Sequence, residues 1–427
     1  MANATIFAGL RKPYFSLQCK TKKSNWIMSA PSTIQFPVMN TINYNLKNQE
    51  LKSRFSLLKP ISALSENVVY YNFSFKSDCV FEGNSYLGEL SPEEAQIVNE
   101  SGKTVNRHFQ YTILTPTESS PKDVILLLHG LNERSWEKYI LWANTLVEKT
   151  GKAVILFPLA FHINRAPANW SNPRMMQAIS IKRQKDDPDI KESSFANVAL
   201  SLRLQFHPEM FPVSGAQSYL DIVKLCRQIK SGKHPLLPKA ESISIFAYSI
   251  GTILAKILLL ANPYRLFGKE KVFLFCGGAY LDQVTPVSRA IMDSEACKSL
   301  HRYLGSAPKV AHLMLSPKRK AKLLPQAWKI FQSLVSKDFN KSDKTEIFKK
   351  VKQRIFAVGL SCDDVFSPSA IHNLMGNRSV AIEVPYTGSH EKPFPFDSKD
   401  QHDQVVAVFE QIFDMASAFF AQDQKKK

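Results

Sequence analysis

The chain has 427 residues, 44% of them hydrophobic and 22% charged, which is the composition of a folded globular protein with a sizeable core. Lys and Arg number 55 against 37 Asp and Glu, and the net charge of +18 favours acidic partners or anionic surfaces without indicating any chemistry. No stretch reaches the ~18 consecutive uncharged apolar residues of a membrane-spanning helix, which argues against the membrane-spanning class.

Residue spacing argues against bound metals and cofactors. The six cysteines are widely scattered, which predicts free thiols in a reducing compartment. No two of the ten histidines stand three or four residues apart, and neither a glycine-rich phosphate loop nor a dinucleotide fingerprint is present. We therefore expect neither a metal ion nor a cofactor.

Residues 1–66 form the first segment, and their weak periodicity predicts a leader or a disordered arm. Residues 1–48 contain no acidic side chain but several basic ones, together with many Ser and Thr, a composition typical of organelle transit peptides. No Arg-rich amphipathic helix accompanies it. The predicted location is therefore cytoplasmic, with organelle targeting as the alternative, and residues 67–427 are assigned to a single domain.

Strands begin to alternate with helices at residue 68. Ser91, followed by Pro-Glu-Glu-Ala, is the N-cap signature of a helix. A second helix is expected between a cap at Ser135 and a stop at Gly151. Four runs have the alternating or continuously apolar pattern of strands: 68–75, 108–114, 124–128 and 153–157.

Residues 161–214 interrupt this alternation as a long, polar, proline-rich loop insertion, which we expect to be functional or to cover the site. The insertion starts at a strand end, with His162 and Arg165 followed by Trp170. An arginine suits a carboxylate or a phosphate, so these side chains are candidates for binding an anionic or polar substrate group. The alternative is that they only order the insertion.

The stretch from Ile243 to Lys256 carries the most informative pattern. An apolar, β-branched strand breaks at Ala247-x-Ser249-x-Gly251, and apolar residues then repeat at helical spacing. A strand, a tight turn and a helix in this order are the context of a nucleophile elbow, in which the serine takes a strained backbone conformation. Small residues two before and two after the serine let the strand and the helix approach. The alternative is a buried serine in an ordinary turn.

Three further apolar runs, at 272–276, 355–359 and 380–384, predict the remaining strands. The segment 282–353 between the first two of these runs is mostly helical and basic. Strands that are apolar throughout and alternate with helices predict an α/β fold with a mostly parallel, doubly wound sheet covered on both faces.

A helix predicted within the segment 282–353 places basic residues, among them Lys318, Arg319 and Lys320, beside a Leu, Trp and Phe face. Such a helix can lie on an anionic membrane surface, which would suit lipid substrates, or it can simply present a solvated outer face. No nucleic-acid-binding motif accompanies the charge, so nucleic acid is not an expected partner.

Polar clusters follow several predicted strands, where a parallel sheet gathers its catalytic groups. His129 ends one strand, Asp364 follows another, and His390 follows the last, in addition to Ser249 in the elbow. Activation of a hydroxyl requires an imidazole that takes its proton and a carboxylate that orients the imidazole. Ser249, Asp364 and His390 supply these groups from successive strand ends.

With these motifs in this order, the chain from about residue 68 to 424 resembles the α/β-hydrolase superfamily. The resemblance implies that Ser249 is the nucleophile, His390 the general base and then acid, and Asp364 the orienting carboxylate. It also implies an oxyanion hole made by backbone N–H groups of Ile250 and of the loop near Leu131. Hydrolases of this fold commonly carry a helical lid between two sheet strands, so the resemblance implies that the segment 282–353 is such a lid.

Three aspartates are candidates for the orienting carboxylate that this resemblance implies. The spacing to Pro368 favours Asp364, Asp282 occupies a strand end that some hydrolases of this fold use, and Asp363 is adjacent to the first choice. Asn132 and Tyr248 complete the candidates for substrate binding.

The predicted function is that of a serine hydrolase that cleaves a carboxylic ester or thioester of a small molecule or lipid through an acyl-enzyme intermediate. Two alternatives stay open: an acyltransferase with the same three residues, and a non-catalytic binding or scaffold protein that keeps the fold. The alanine at position 247, where glycine is commoner, and the ambiguous acid support the non-catalytic alternative.

Overall fold

The computed structural model describes residues 43–79, 90–99, 103–119, 121–238, 240–306, 322–338 and 350–421. The strands within these ranges are β1 (Ile61–Ala63), β2 (Val68–Lys76), β3 (His108–Pro116), β4 (Asp123–Leu128), β5 (Ala153–Leu156), β6 (Ser242–Tyr248), β7 (Val272–Phe275), β8 (Ile355–Leu360) and β9 (Ser379–Ile382). The α-helices are α1 (Tyr44–Arg54), α2 (Pro92–Asn99), α3 (Lys103–Arg107), α4 (Glu137–Thr150), α5 (Pro173–Asp186), α6 (Val198–Phe206), α7 (Met210–Lys230), α8 (Gly251–Ala261), α9 (Ser294–Gly305), α10 (Leu324–Val335), α11 (Pro368–Met375) and α12 (His402–Ala421).

The strands form one sheet in the order β1-β2-β3-β5-β4-β6-β7-β8-β9. The pairs from β1 to β5 along this order are antiparallel, and those from β5 to β9 are parallel, which confirms the predicted mostly parallel sheet. β4 and β6 are neighbours, and Leu128 at the end of β4 pairs with Ala247. Because the two strands are parallel and in this register, the loop after β4 and the turn after β6 leave the sheet side by side.

Helices cover both faces of the sheet, as the doubly wound arrangement requires. Val124, Leu126 and Leu128 of β4 belong to the core that contains α7 and α8. Ile125 and Leu127 belong to the opposite core, which contains α4 and α12. The strand is apolar from Val124 to Leu128 because both of its faces are buried there.

The last helix, α12, is long and apolar enough by length and composition to cross a membrane. It lies against α4, and Val405, Phe409, Ile412 and Phe413 are buried in the core beneath it. Packing inside the domain therefore accounts for its apolar stripe.

The boundary predicted at residue 66 lies too late in the chain. Residues 1–42 fall outside the described ranges, but α1 packs on the domain, where the Tyr44 ring lies 5.6 Å from Phe396 and 4.9 Å from Phe409. β1 extends the sheet by pairing with β2. The sequence did not reveal α1 because only Tyr44 and Leu51 of its residues are buried, which leaves almost no apolar stripe.

The predicted loop insertion 161–214 is helical instead. It contains α5 and α6, and α7 begins at Met210 within it. Side chains of this insertion and of α2 form a small core of their own: Ile97, Val98, Ala160, Phe161, Ala166, Trp170, Met176, Ile179, Val198, Ala199, Leu202 and Val213. The sequence obscured α5 because it is largely polar and buries only one side, so no strong apolar period marks it.

The segment 282–353 carries α9 and α10 among its described residues. α9 packs against α6, and α10 packs against α8, so this segment and the insertion cover the C-terminal edge of the sheet together. The basic run at Lys318, Arg319 and Lys320 lies outside the described residues. The role of this segment as a lid stays a prediction.

Candidate active site

The turn between β6 and α8 raises Ser249 above the sheet. Ser249 has a φ of 55°, a left-handed conformation that side-chain-bearing residues rarely adopt and the strained geometry that an elbow requires. Gly251 opens α8, and a Cβ there would stand 2.8 Å from the carbonyl oxygen of His129. A Cβ on Gly277, after β7, would stand 2.8 Å from the carbonyl oxygen of Ser249. Glycine at both positions lets the neighbouring strands approach the turn.

Three side chains form a hydrogen-bonded relay from this turn into the protein. The Oγ of Ser249 lies 2.7 Å from Nε2 of His390. Nδ1 of His390 lies 2.9 Å from Oδ2 and 3.0 Å from Oδ1 of Asp363. All three residues are at least 96% buried, with 4%, 3% and 3% of their surfaces exposed. The geometry is that of a nucleophile, a base and an orienting carboxylate.

The carboxylate of this relay is Asp363, which corrects the sequence-based choice of Asp364. Oδ1 of Asp363 also accepts hydrogen bonds from the backbone N–H groups of Val365 (3.0 Å) and Phe366 (2.8 Å), so the turn after β8 fixes its orientation. Asp364 is exposed, and Asp282 is exposed in the turn after β7. Successive residues of a tight turn point in different directions, which spacing along the chain does not reveal.

Two aromatic rings hold the imidazole of His390. Tyr248 stacks on it with ring centroids 5.4 Å apart, and Phe366 stacks on it at 5.6 Å. The hydroxyl of Tyr248 also donates to the backbone carbonyl oxygen of His390. Tyr248, predicted as a substrate contact, thus positions the base, and burial raises the pKa of its phenol well above the usual range.

His129 has a structural role in the loop after β4. Its Nδ1 lies 2.8 Å from the carbonyl oxygen of Gly130, and its Nε2 lies 2.9 Å from the backbone nitrogen of Leu159, which donates to it. These contacts fix one neutral tautomer, and burial lowers the pKa of His129 to about 4. His129 therefore shapes the loop and is not a second base.

Two backbone N–H groups, one in this loop and one in the turn after β6, are the expected oxyanion donors, and that role stays a prediction. The backbone N–H groups of Leu131 and Ile250 find no hydrogen-bond acceptor within the described residues, and both residues line a small pocket beside Ser249. Asn132 has a φ of 60°, and its amide donates to the carbonyl oxygens of Ala196 (2.8 Å) and Ala290 (2.6 Å). Asn132, predicted as a substrate contact, thus ties the loop to the segments that cover it.

Two larger cavities meet at this loop. One, of about 380 Å³, is lined by Ser249 and His390 together with charged side chains, including Arg134 and Glu391. The other, of about 590 Å³, is strongly apolar and lies beneath α10, with Leu131 and Ile250 in its wall. Leu131 and Ile250 thus line both the apolar cavity and the small pocket beside Ser249.

The two remaining predicted substrate contacts, His162 and Arg165 of the insertion, lie in different surroundings. His162 borders the apolar cavity, its Nδ1 lies 2.8 Å from the carbonyl oxygen of Ala160, and burial together with the neighbouring His129 lowers its pKa to about 3. Arg165 is fully buried and pairs with Asp221 at 2.9 Å. Arg165 is therefore a core ion pair, not a substrate contact. Within the described ranges, no group of three His, Cys, Asp or Glu residues could hold a metal ion.

Sequence reasoning missed Arg134 and Arg203, which line the two cavities and stand in no recognisable motif. Only the folded structure shows that both arginines lie near Trp170, a residue that the sequence analysis did name. The sheet order, the elbow and the strand-end placement of the relay together make this an α/β-hydrolase fold, as the sequence predicted.

Comparison with known proteins identifies a family and several solved structures. The model of a family of unknown function (DUF6051) matches residues 43–421, and no curated protein matches the chain. A cold-adapted esterase from an Arctic intertidal metagenomic library is 12% identical over 86% of this chain and 100% of that chain, with a TM-score of 0.37. An esterase of Pyrobaculum calidifontis (12% identity, 88% and 94% covered, TM-score 0.40) and carboxyl esterase 2 of the fungus Tuber melanosporum (12%, 88% and 96%, 0.41) are similar to the same extent. Likeness at this identity concerns the fold, not the substrate.

Proposed function

The chain belongs to DUF6051, a family of unknown function, and we propose that it is a serine hydrolase that cleaves a carboxylic ester or thioester. The observation that carries the proposal is the continuous relay from Ser249 through His390 to Asp363, with the serine raised on a left-handed turn. A buried structural serine would not need that backbone strain.

Acylation begins when Nε2 of His390 takes the proton of the Ser249 hydroxyl, which attacks the acyl carbonyl carbon. Asp363 accepts a hydrogen bond from Nδ1–H of His390 and stabilises the imidazolium that forms, without taking its proton. The backbone N–H groups of Leu131 and Ile250 face the negative charge that develops on the carbonyl oxygen. The imidazolium then protonates the leaving alcohol or thiol, which departs and leaves an acyl group on Ser249.

Deacylation uses the same groups in the reverse order. Nε2 of His390 takes a proton from water, and the water oxygen attacks the acyl carbonyl carbon. The bond between that carbon and Oγ of Ser249 then breaks, the protonated imidazole returns its proton to Oγ, and the carboxylic acid is released. The apolar cavity of about 590 Å³ beside Leu131 and Ile250 supports an apolar acyl chain as part of the substrate.

A fluorophosphonate probe tests the proposal because it labels only a serine that is activated as a nucleophile. We expect the wild-type protein to be labelled and Ser249→Ala to be unlabelled. Ser231→Ala, a variant of an exposed serine after α7, is the matched control and should be labelled like the wild type. A folded wild-type protein that resists labelling and hydrolyses no member of a p-nitrophenyl ester series would instead favour a non-catalytic protein.

A further inference from the structure

One buried arginine has no carboxylate partner among the residues that the structure describes. Arg203 on α6 is only 5% exposed, and its guanidinium lies 4.2 Å from the ring centroid of Phe161 and 4.6 Å from that of Trp170. No Asp or Glu of the described residues forms an ion pair with it. The fold pairs its other buried arginines nearby, Arg165 with Asp221 and Arg183 with Asp293. Arg203 is therefore an exception within its own neighbourhood.

A second arginine approaches the same indole. The guanidinium of Arg134, in the loop after β4, lies 6.0 Å from the Trp170 ring centroid, and the described residues include no carboxylate paired with it either. Burial lowers the pKa of Arg134 to about 10, and burial together with the charge of Arg134 lowers that of Arg203 to about 9. The neighbouring Glu133 binds Lys138 (2.6 Å) and Tyr139 (2.5 Å) instead.

The indole adds an unused donor to this pair of cations. Nε1 of Trp170 is buried and has no hydrogen-bond partner within the described structure. A buried N–H without an acceptor is costly, and so are two desolvated like charges beside one ring. An anion between these groups would accept from all three donors and remove both costs. An ion or ligand that completes the site explains an unsatisfied buried polar group of this kind.

We propose that Arg134, Trp170 and Arg203 bind an anionic group, a carboxylate or a phosphate, carried by the substrate of the Ser249 site. The substrate would then be an ester or thioester that bears a negative charge in addition to its reacting acyl group. Arg134 and Trp170 line the same cavity as Ser249 and His390, and Arg203 lines the adjoining apolar cavity. The assignment of this anion to a substrate rests on the proposed hydrolase function.

The kinetic test compares two esters with the same leaving group that differ by one terminal carboxylate on the acyl chain, p-nitrophenyl butyrate and the p-nitrophenyl monoester of glutaric acid. We expect the wild type to prefer the anionic ester, and Arg203→Met to reduce the ratio of the two kcat/KM values by roughly 10- to 100-fold, the effect of losing one charge-assisted hydrogen bond. Arg174→Met, which removes an exposed arginine on α5, is the matched control and should leave the ratio unchanged. An equal loss on both esters would contradict the proposal.

The binding test needs no turnover and uses Ser249→Ala. Inorganic phosphate and glutarate, each at matched ionic strength against chloride, should raise the Tm of this variant and should not raise it when Arg203→Met is added. The anion with the larger shift identifies the group as phosphate or carboxylate. Arg203→Met alone should raise the Tm in chloride, because it removes an uncompensated buried charge, whereas an arginine that only braces the aromatic rings would lower the Tm when replaced.

The two tests separate the two proposals. A shift by phosphate or glutarate without hydrolysis of any ester would overturn the hydrolase and leave the anion site standing. Hydrolysis of both esters without preference, together with an absent Tm shift, would overturn the anion site and leave the hydrolase standing.

Discussion

Replacement of Asp363 by asparagine should remove most of the catalytic activity, whereas the same replacement of the adjacent Asp364 should not. Oδ1 of Asp363 accepts hydrogen bonds from the backbone N–H groups of Val365 and Phe366. In Asp363→Asn the amide oxygen therefore takes the position of Oδ1, because only an oxygen can accept these two hydrogen bonds. The amide NH₂ then occupies the place of Oδ2, 2.9 Å from Nδ1 of His390. A donor there forces Nδ1 to accept and moves the imidazole proton to Nε2, which faces the Ser249 hydroxyl 2.7 Å away. The base is blocked although the shape is preserved.

The expected loss in kcat is about 10⁴-fold, the size that the same tautomer error causes in serine proteases, or about 5.5 kcal/mol of transition-state stabilisation. Asp364→Asn, the matched control one residue on, should stay within about twofold of wild type because that side chain is exposed. Initial rates of p-nitrophenyl butyrate hydrolysis and fluorophosphonate labelling rates measure both variants. A larger loss in Asp364→Asn than in Asp363→Asn would refute the reasoning.

Two further predictions concern buried cations. Arg165→Met should lower the free energy of unfolding by about 3–5 kcal/mol, because it leaves the Asp221 carboxylate buried without its partner; a loss below about 1 kcal/mol in urea denaturation would contradict this. Lys256 is fully buried on α8, with its Nζ 3.3 Å from the carbonyl oxygen of Ala279, and burial lowers its pKa from 10.5 to about 7. The unfolded chain then binds one more proton than the folded protein between about pH 7 and pH 10.5, so wild-type stability gains a contribution that rises with pH over this window. Lys256→Met should remove that contribution, and identical pH slopes of the urea midpoints in both proteins would argue against it.

The central strands and the elbow were predictable because their causes are local. A strand buried on both faces is apolar along most of its length, as β4 is from Val124 to Leu128 and β6 from Ile245 to Ala247, and each such run stands out from the sequence around it. The left-handed turn at Ser249 requires small residues at fixed offsets, and Gly251 meets that requirement within five residues of sequence. The helices α1 and α5 could not be predicted because few of their residues are buried, so no apolar periodicity marks them in the sequence.

The sequence by itself therefore determined the order of the central strands, the position of the elbow and the choice of Ser249 and His390 as candidates, since each leaves a pattern within a short window. Only the tertiary structure decided between Asp363 and Asp364, because the two are chemically identical neighbours and the choice depends on which one the turn after β8 directs toward His390. It also distinguished Arg165 from Arg203. The sequence shows that an arginine is charged, but whether a carboxylate pairs with it depends on which residues folding brings close, as it brings Asp221 to Arg165.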